Sequence, residues 1–477
     1  MYGRNIKMKK KYSLINIVTI LVFMGIFFLP FNSFEGFDFL GEFSKDSCTI
    51  FFLLASIFLF LRAFLLGRLR VPIKNPLFHL LLIFYFWLIV STLLNVPNIS
   101  SYYFKQTSGF SRTIRQYLAL FFSGIIFLLT YYNAFNNFNI KRLFFKVRRV
   151  IFYSFIVVSI YSIIEILILK FKVFSLEPVI NLFNYFPFTD VHLDFRNYRI
   201  SSVTFETPAL ATYLFFVAGW MFSYVVTGEG FKKYIPGLLT IVLALFSGSR
   251  AGLLIIFIQA IAFGYFLLKK KKHQILFIRI LKYSFLAVVL VFLVKGKTIT
   301  NYIYENATSF KIEDDVHAIS NKSRFGIQYA LFQVFLQNPI YGVGFGQQAF
   351  VSKNLYPPWA TKDNWEFRLI YLNEDVKNFP PGYNIYLRIL AESGFIGLLL
   401  FLTLLSAMLF VAHKVSANNE GPHSLMAIVV FVSILGVIFN WLKMDTFRIF
   451  NFWINLALLF YLTKSGIKVY KDDKKNQ

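Results

Sequence analysis

Residues 380–401 read PPGYNIYLRILAESGFIGLLLF, and the apolar run that they open continues to residue 412. A helix of about 20 apolar residues is long enough to cross the hydrocarbon core of a membrane, so this run predicts a membrane-spanning helix. Arg388 and Glu392 stand four residues apart at its head, just after two prolines and a glycine. Charges in such a run are either functional or badly placed, and the rest of the chain has to distinguish these possibilities.

Several other stretches of the 477-residue chain are equally apolar, and together they indicate the fold class. Hydrophobic residues make up 57% of the chain and charged residues only 15%, whereas soluble domains are about a quarter charged. The apolar runs are continuous rather than alternating, which excludes a membrane β-barrel. The sequence therefore predicts an all-α polytopic membrane protein. Cys48 is the only cysteine, so an intrachain disulfide is excluded and a thiolate metal site is not expected.

The apolar runs and the basic residues beside them predict about twelve transmembrane helices. The net charge of +26 would suggest nucleic acid in a soluble protein, but here the basic clusters fall mostly at the ends of apolar runs and indicate topology. Their distribution predicts a multi-pass membrane protein with both termini cytoplasmic, a retained N-terminal signal anchor and no nucleic-acid partner. The predicted spans are residues 13–31, 49–67, 76–94, 116–134, 150–169, 207–227, 234–247, 251–268, 279–294, 386–412, 424–442 and 447–463.

This count divides the chain into three regions. Residues 1–294 hold helices one to nine, residues 295–385 form a large extracytoplasmic loop, and residues 386–477 hold helices ten to twelve and a basic cytoplasmic tail. Apolar residues at helical spacing predict an amphipathic helix in the loop; they are Ile327, Leu331, Val334 and Phe335. The glycines of GVGFGQ (342–347) are interpreted as turns, and EDDVH (313–317) as a solvated loop rather than a divalent-cation site.

Counting about 20 residues outward from each cytoplasmic flank brings charged residues from separate segments to one level, the outer membrane surface. Each has an ordinary explanation: an arginine can anchor a helix end in the headgroups, Arg388 and Glu392 can pair at i,i+4, and Glu206 can be a first-turn acid. Their convergence favours a functional site. The residues are Arg199, Glu206, Arg250, Arg324, Arg388 and Glu392.

This set of residue types suits one kind of chemistry. Arginines bind a diphosphate bidentately while staying charged, and a nearby carboxylate can serve as general base. At a lipid interface the combination predicts group transfer from a lipid-linked diphosphate. Such a donor is already activated, and arginines can stabilise the leaving diphosphate in place of a metal, so neither a cofactor nor a metal ion is expected.

Four stretches, in order, resemble the superfamily of O-antigen polymerases and O-antigen ligases, which assemble bacterial surface polysaccharides. RISSVTFETPALATYL (199–214) has an arginine followed by a Phe-Glu-x-Pro-like element, and GSRAGLL (248–254) is similar to a small-Ser-Arg-small hairpin tip. SRFGIQYALFQVFLQNPIYGVGFGQ (323–347) resembles an Arg-led helix that ends in Asn-Pro and Gly-x-Gly. YNIYLRILAESGFIGLLLF (383–401) is similar to the His-Asn-x-x-Leu…Glu-x-Gly-x-x-Gly helix of the family. The likeness covers roughly residues 195–410.

The resemblance implies glycosyl transfer at the periplasmic side, without metal, from an undecaprenyl-diphosphate-linked glycan donor to a lipid-linked acceptor. It implies that Arg199, Arg250 and Arg324 contact the diphosphate, and it brings Tyr383, Asn384, Arg388 and Glu392 into the substrate-binding region. Tyr383 stands where ligases have a histidine thought to act as base, and tyrosine with its pKa of ~10 is a poor base at neutral pH. This departure favours a polymerase, with Glu206 preferred over Glu392 as base because Glu392 has Arg388 as an available partner.

Two alternatives remain open at the level of sequence. An O-antigen ligase would transfer the finished glycan to lipid A core or protein. A flippase for lipid-linked oligosaccharides would have polar residues at the bilayer midplane and two similar halves, which this chain lacks. For the polymerase, the further partners expected are membrane lipid and a protein that regulates chain length. The sequence favours the polymerase function.

Overall fold

The computed structural model describes residues 14–271, 274, 275, 278, 279, 282 and 318–472, and these residues form a bundle of α-helices. The helices are α1 (Leu14–Phe27), α2 (Cys48–Leu66), α3 (Pro76–Leu94), α4 (Val96–Ser101), α5 (Gly109–Phe121), α6 (Leu128–Phe135), α7 (Ile140–Leu169), α8 (Glu177–Asn181), α9 (Thr207–Phe222), α10 (Tyr224–Thr227), α11 (Ile235–Phe246), α12 (Arg250–Lys269), α13 (Ala318–Gln337), α14 (Gln348–Ser352), α15 (Pro358–Thr361), α16 (Ile385–Asn418), α17 (Gly421–Asn440) and α18 (Phe450–Asp472).

Short elements complete the described part of the chain. A two-stranded antiparallel hairpin pairs β1 (Tyr103–Phe104) with β2 (Thr107–Ser108). Single 3₁₀ turns cover Asp38–Phe43, Phe174–Leu176, Leu182–Tyr185 and Phe231–Tyr234, and π-helical turns cover Phe122–Phe127 and Phe367–Tyr371. The π turn Phe122–Phe127 joins α5 and α6 into one continuous helical segment.

The prediction of an all-α polytopic membrane protein is confirmed. Among the described residues, eight helical segments are long and apolar enough to cross a membrane; they are Cys48–Leu66, Pro76–Leu94, Gly109–Phe135, Ile140–Leu169, Thr207–Thr227, Arg250–Lys269, Ile385–Asn418 and Gly421–Asn440. The apolar helix Leu14–Phe27 is shorter. The ninth predicted span at 279–294, the EDDVH segment and the two chain ends lie wholly or largely outside the described residues, and the total of twelve spans stays a prediction.

Helices α9, α12 and α17 pack tightly around a buried glutamine. The Gln259 side chain of α12 donates hydrogen bonds of 2.8 Å to the carbonyl of Phe215 in α9 and to the carbonyl of Val432 in α17. Gly436 of α17 makes room for it, because a Cβ there would overlap the Gln259 amide. Small residues that let helices approach, together with polar side chains that bond across them, are the usual basis of packing in membranes.

The long helix α16 is not one straight span, which corrects the prediction of a continuous run over 386–412. Gly394 has non-helical angles (φ 68°, ψ −171°) that interrupt the helix. The rings of Tyr386 and Phe401 lie 6.2 Å apart, although 15 residues of straight helix would separate them by about 22 Å. The segment before Gly394 therefore folds back beside the segment after it. The predicted positions of Arg388 and Glu392 assumed a straight α16, so the reversal at Gly394 changes them.

The reversal at Gly394 is held by the turn that follows α13. The backbone N–H groups of Val343 and Gly344 donate to the carbonyls of Ala391 and Glu392, at 3.0 and 2.8 Å, and Phe395 N–H donates to Pro339 at 2.8 Å. The two backbones touch, since a Cβ at Gly394 would overlap the Ile340 carbonyl. The glycines at 342, 344 and 346 all have positive φ, so they form turns as the sequence predicts.

Helix α13 lies against α16 and places one face of its side chains in the protein interior. Ile327, Leu331 and Val334 are fully buried, and Phe335 is partly exposed. Ile327 packs with Ala360, Phe367 and Tyr371 into a small cluster of its own. The predicted amphipathic helix thus corresponds to α13, and its apolar face connects the large loop to the helical bundle.

Gly394→Ala is expected to destabilise the protein strongly, because the added Cβ collides with backbone and because φ of 68° disfavours L-residues. Gly421→Ala is the matched control: Gly421 also has positive φ (59°), but nothing lies within 4 Å of the added Cβ. We expect a loss of about 1–2 kcal/mol for the control and a clearly larger one for Gly394→Ala. Thermal unfolding of the detergent-solubilised protein measures both, and equal midpoints would contradict the close crossing.

Candidate active site

A cavity of about 870 Å³ opens at one end of the bundle, where α9, α12 and α16 begin and α11 and α17 end. Five of the site residues predicted from the sequence line it, although they come from segments far apart in the chain. These five are Arg199, Glu206, Arg250, Arg324 and Tyr383. The structure thus brings together the arginines, one candidate base and the tyrosine that replaces a histidine.

The loop that carries Arg199 and Glu206 is fastened by a buried carboxylate. Glu165 of α7 is fully buried and accepts the backbone N–H groups of Ser201 and Ser202, at 3.0 and 2.8 Å. Ser202 adopts a positive φ of 55°, and its hydroxyl donates to the Val158 carbonyl at 3.1 Å. Glu165 therefore fixes the stretch between the two cavity residues. This role was not predicted, because Glu165 lies within a predicted span.

Arg199 and Arg250 are positioned by the same tight turn. Gly248 has φ of 64°, and a Cβ there would lie 3.1–3.2 Å from the Cγ, Cδ and Nε atoms of Arg199. The Arg199 side chain therefore packs directly on this turn. Ser249 caps α12 by accepting the Gly252 N–H at 3.1 Å, which makes Arg250 the first residue of the helix. A helix N-terminus adds partial positive charge to its surroundings, so the turn is favourable for an anion.

Arg324 and Tyr383 lie against each other in the cavity lining. The Arg324 guanidinium carbon lies 5.4 Å from the centre of the Tyr383 ring, within cation–π range. The hydroxyl oxygens of Tyr383 and Tyr371 are 2.6 Å apart, and the Tyr371 hydroxyl donates to Glu366 Oε2 at 3.4 Å. Burial raises the pKa of the Tyr383 phenol, so Tyr383 stays protonated and neutral at physiological pH.

The cavity is predominantly positive but contains carboxylates. The basic side chains that line it are Lys45, Arg199, Arg250, Arg324, Lys443 and Arg448, and the acidic ones are Glu42, Asp46, Glu206 and Asp445. With more cations than carboxylates, it suits an anionic ligand such as a diphosphate. The four carboxylates temper the repulsion among the cations, which would otherwise oppose their close grouping.

Three cavity residues have pKa values moved by the surrounding protein. Burial, aided by the positive charge of Arg324, lowers the pKa of the Lys443 ammonium to about 8, although Glu206 opposes the shift. Glu206 is exposed to the cavity, yet desolvation by the surrounding walls raises the pKa of its carboxyl despite the nearby cations Arg324, Lys443 and Lys45. Burial likewise raises the pKa of Asp46 to about 6, against the attraction of Arg448. Such shifts are common where acid–base chemistry occurs.

Arg388 and Glu392 do not line the cavity; both are buried inside the protein, 6% and 1% exposed. Arg388 Nε donates to Glu392 Oε1 at 3.0 Å, and its Nη atoms donate to the Asp445 carbonyl and to Gln116 Oε1, each at 2.7 Å. Asn384 caps the start of α16 by accepting the N–H groups of Tyr386 and Leu387. These three predicted substrate-binding residues thus brace the cavity wall, and their side chains are occupied by protein partners.

The turn between α17 and α18 lines part of the cavity and was not predicted from the sequence. Lys443, Asp445 and Arg448 all line the cavity, and Asp445 Oδ2 accepts the Gly382 N–H at 2.7 Å just before Tyr383. The signal was present, since the turn lies between two predicted spans on the same side as the other charged residues. Because the turn is only a few residues long, its three charged residues were not among the predicted site residues.

The described residues contain no group of three or more His, Cys, Asp and Glu side chains that could hold a metal ion. The EDDVH segment (313–317), which the sequence predicts to be a solvated loop rather than a divalent-cation site, lies outside the described residues. The ionisable side chains that line the cavity are arginine, lysine, carboxylate and tyrosine, and serine, threonine and asparagine side chains accompany them.

The fold and the site together define a polytopic helical membrane protein with a cationic, carboxylate-containing cavity at one end of its bundle. Residues 235–402, about a third of the chain, match the family model described as O-antigen ligase. The resemblance to the O-antigen polymerase and ligase superfamily is thereby confirmed for this segment, which contains Arg250, Arg324 and Tyr383. No curated protein matches the chain.

The family match supports a membrane glycosyltransferase-like enzyme with an O-antigen ligase or polymerase type of function, acting on lipid-linked glycans. The apolar helices fit a multi-pass protein of the inner membrane. Arg199 and Glu206 lie before the matched segment and join it only in space, through the cavity.

Arg388→Met is expected to destabilise the protein by about 3–5 kcal/mol, because it leaves the Glu392 carboxylate buried without its partner. The double variant Arg388→Met with Glu392→Leu removes both charges and should regain part of that stability. Chemical or thermal unfolding in detergent measures both. A double variant no more stable than the single one would show that the pair is not energetically coupled.

Proposed function

We propose that the protein is a polysaccharide polymerase. It transfers a growing glycan from undecaprenyl diphosphate to the non-reducing end of an incoming lipid-linked repeat unit, at the extracytoplasmic face of the inner membrane. The observation that carries this proposal is the convergence of Arg199, Arg250 and Arg324 with Glu206 in one cavity. Arginines for the diphosphate and a carboxylate for the acceptor are what the transfer requires, and the family match supports the reaction class.

In the proposed step, a hydroxyl of the acceptor sugar attacks the anomeric carbon of the donor glycan. A carbon–oxygen bond forms to the acceptor, the bond from the anomeric carbon to the phosphate oxygen breaks, and polyprenyl diphosphate leaves. The three arginines stabilise the charge that develops on the leaving diphosphate, and Lys443 adds a cation on the same cavity. These groups bear the leaving charge without a metal ion, so activity should persist in EDTA.

Glu206 is the group that we propose takes the proton of the attacking hydroxyl. It is exposed to the cavity, and its raised carboxyl pKa makes it a better proton acceptor than an ordinary glutamate. Glu392, the other carboxylate considered, is bound by the Arg388 guanidinium at 3.0 Å and is buried. Tyr383 remains protonated, which argues against its acting as the base in place of the ligase histidine.

An O-antigen ligase is the second candidate, favoured by the description of the matching family model. The two functions differ in the acceptor: a polymerase binds a second lipid-linked glycan, whereas a ligase binds lipid A core or protein. The glycan pattern of a deletion strain distinguishes them. Loss of the polymer ladder with one capped repeat retained supports the polymerase, and loss of all attachment supports the ligase. For the polymerase, a chain-length regulator is a further proposed partner.

Arg250→Ala is expected to abolish the polymer while single repeats stay attached to lipid, because the leaving diphosphate loses a charge-assisted contact. Arg250→Lys keeps the charge but not the bidentate geometry and should retain partial activity. Arg196→Ala is the matched control, since Arg196 is an exposed arginine near Arg199 that does not line the cavity. Gel analysis of the surface glycan reads all three variants. Unchanged polymer in Arg250→Ala would remove Arg250 from the mechanism.

The rate of transfer by purified protein is expected to follow a bell-shaped pH profile. Activity falls at low pH as Glu206 becomes protonated, at a pKa above its ordinary value of 4.5. It falls at high pH as Lys443 loses its charge near pH 8, which weakens diphosphate binding. Glu206→Gln should abolish most activity. Lys443→Arg, whose charge persists above pH 8, should move the alkaline limb upward, and an unmoved limb would exclude Lys443 as its source.

A further inference from the structure

A chain of hydroxyl groups leads away from the cavity at Tyr383, and the proposed function does not use it. The Tyr383 and Tyr371 oxygens lie 2.6 Å apart, and Tyr371 continues to Glu366 Oε2 at 3.4 Å. Tyr383 lines the cavity, whereas Tyr371 is buried in the cluster around Ile327, Ala360 and Phe367. This chain of hydroxyl groups thus runs from Tyr383, which lines the cavity, to the carboxylate of Glu366, which does not line it.

We propose that Glu366 and Tyr371 fix the direction of the Tyr383 proton, so that Tyr383 presents only its oxygen lone pair to the cavity. An ionised carboxylate can only accept hydrogen bonds, and each tyrosine has one proton. When Tyr371 donates to Glu366, its oxygen accepts the Tyr383 proton. Tyr383 then has no proton left for a ligand and acts as an acceptor. Glu366 and Tyr371 are positioning residues, and Tyr383 is the residue that touches substrate.

The electrostatics of the chain support this direction. The Arg324 guanidinium lies over the Tyr383 ring, 5.4 Å from its centre, and the Glu366 carboxylate lies at the other end. A positive charge at the cavity end and a negative charge at the far end both favour protons placed toward Glu366. Burial raises the pKa of the Tyr383 and Tyr371 phenols, so both keep the protons that the chain requires.

The local backbone holds both ends of this chain of hydroxyl groups in place. Glu366 and Tyr371 are five residues apart across the π turn Phe367–Tyr371, and π geometry brings residues i and i+5 together. Tyr383 has a positive φ of 55°, which costs a bulky residue about 1–2 kcal/mol. Asp445 secures it by accepting the Gly382 N–H at 2.7 Å. Strain of this kind is retained where the side-chain direction matters.

The consequence is that one part of the cavity binds sugar and another part binds diphosphate. This consequence rests on the proposed glycosyl transfer. Phosphate oxygens are acceptors, so a Tyr383 that can only accept gives them no hydrogen bond. It instead suits a donor group, a hydroxyl or amide N–H of the glycan. Tyr383 therefore marks the sugar-binding part of the cavity, and the arginines mark the diphosphate part. Under this inference, the position where ligases have a histidine thought to act as base holds, in this chain, a tyrosine that accepts a hydrogen bond from the sugar.

The test compares the purified wild-type protein with Tyr371→Phe, Tyr383→Phe and their double variant, using a lipid-linked repeat unit as substrate. Tyr383→Phe should raise the KM for the glycan about threefold to tenfold, the range for one neutral hydrogen bond, with little change in kcat. Tyr371→Phe should raise the KM by a smaller factor, because the Tyr383 oxygen remains but its proton is no longer directed away from the cavity. The double variant should be no worse than Tyr383→Phe, because the direction of the Tyr383 proton matters only while the Tyr383 hydroxyl is present. Inhibition by sugar-free undecaprenyl diphosphate should be unchanged in all three.

Tyr356→Phe is the matched control, because Tyr356 packs against the same cluster but its hydroxyl faces Ser352. Glu366→Ala should raise the KM, and Glu366→Gln, which keeps an acceptor oxygen, should raise it less. A wild-type KM in Tyr371→Phe, additive effects in the double variant, or equal weakening of undecaprenyl diphosphate would each overturn the inference. A wild-type protein that transfers no glycan would overturn the proposed function instead.

Discussion

The buried guanidinium of Arg388 is the constraint around which the cavity is organised. A charge removed from water must be paired and hydrogen-bonded, and Arg388 meets this requirement with Glu392, Gln116 and the backbone of Asp445. Its three partners lie on α16, on α5 and in the turn between α17 and α18. A single side chain therefore joins three segments and helps to fix their relative depth, together with the hydrogen bond from Gly382 N–H to Asp445.

The folded-back start of α16 explains why Arg388 can contact side chains and backbone from several segments. Because the helix reverses at Gly394, its first turns lie inside the bundle rather than in line with the span. Tyr383 and Asn384 then enter the structure beside the floor of the cavity, and Arg388 faces inward. The glycine-rich turn after α13 fits against the reversal through backbone hydrogen bonds, so this part of the large loop is anchored to the start of α16.

Much of this architecture is predictable from sequence, because hydrophobicity and charge bias act over whole segments. The fold class and most span positions follow from the continuous apolar runs, and the helix around Ile327 follows from its helical spacing of apolar residues. Counting residues from the cytoplasmic flanks brings Arg199, Glu206 and Arg250 to one level. The reversal at Gly394 is not predicted in this way, since a count along the chain assumes straight helices. The Tyr371–Tyr383 contact and the Glu165 anchor depend on tertiary packing, and short-range patterns carry no information about them.

The lining of the cavity extends from Leu29 to Asn451, nearly the whole length of the described chain. During synthesis, the last lining residues of the cavity therefore emerge from the ribosome with the final helices, well after Arg199. A nascent chain that has not yet produced these helices lacks part of the cavity lining. In particular, a chain that stops before the Lys443–Arg448 turn would be without Lys443, Asp445 and Arg448, three charged residues of the cavity.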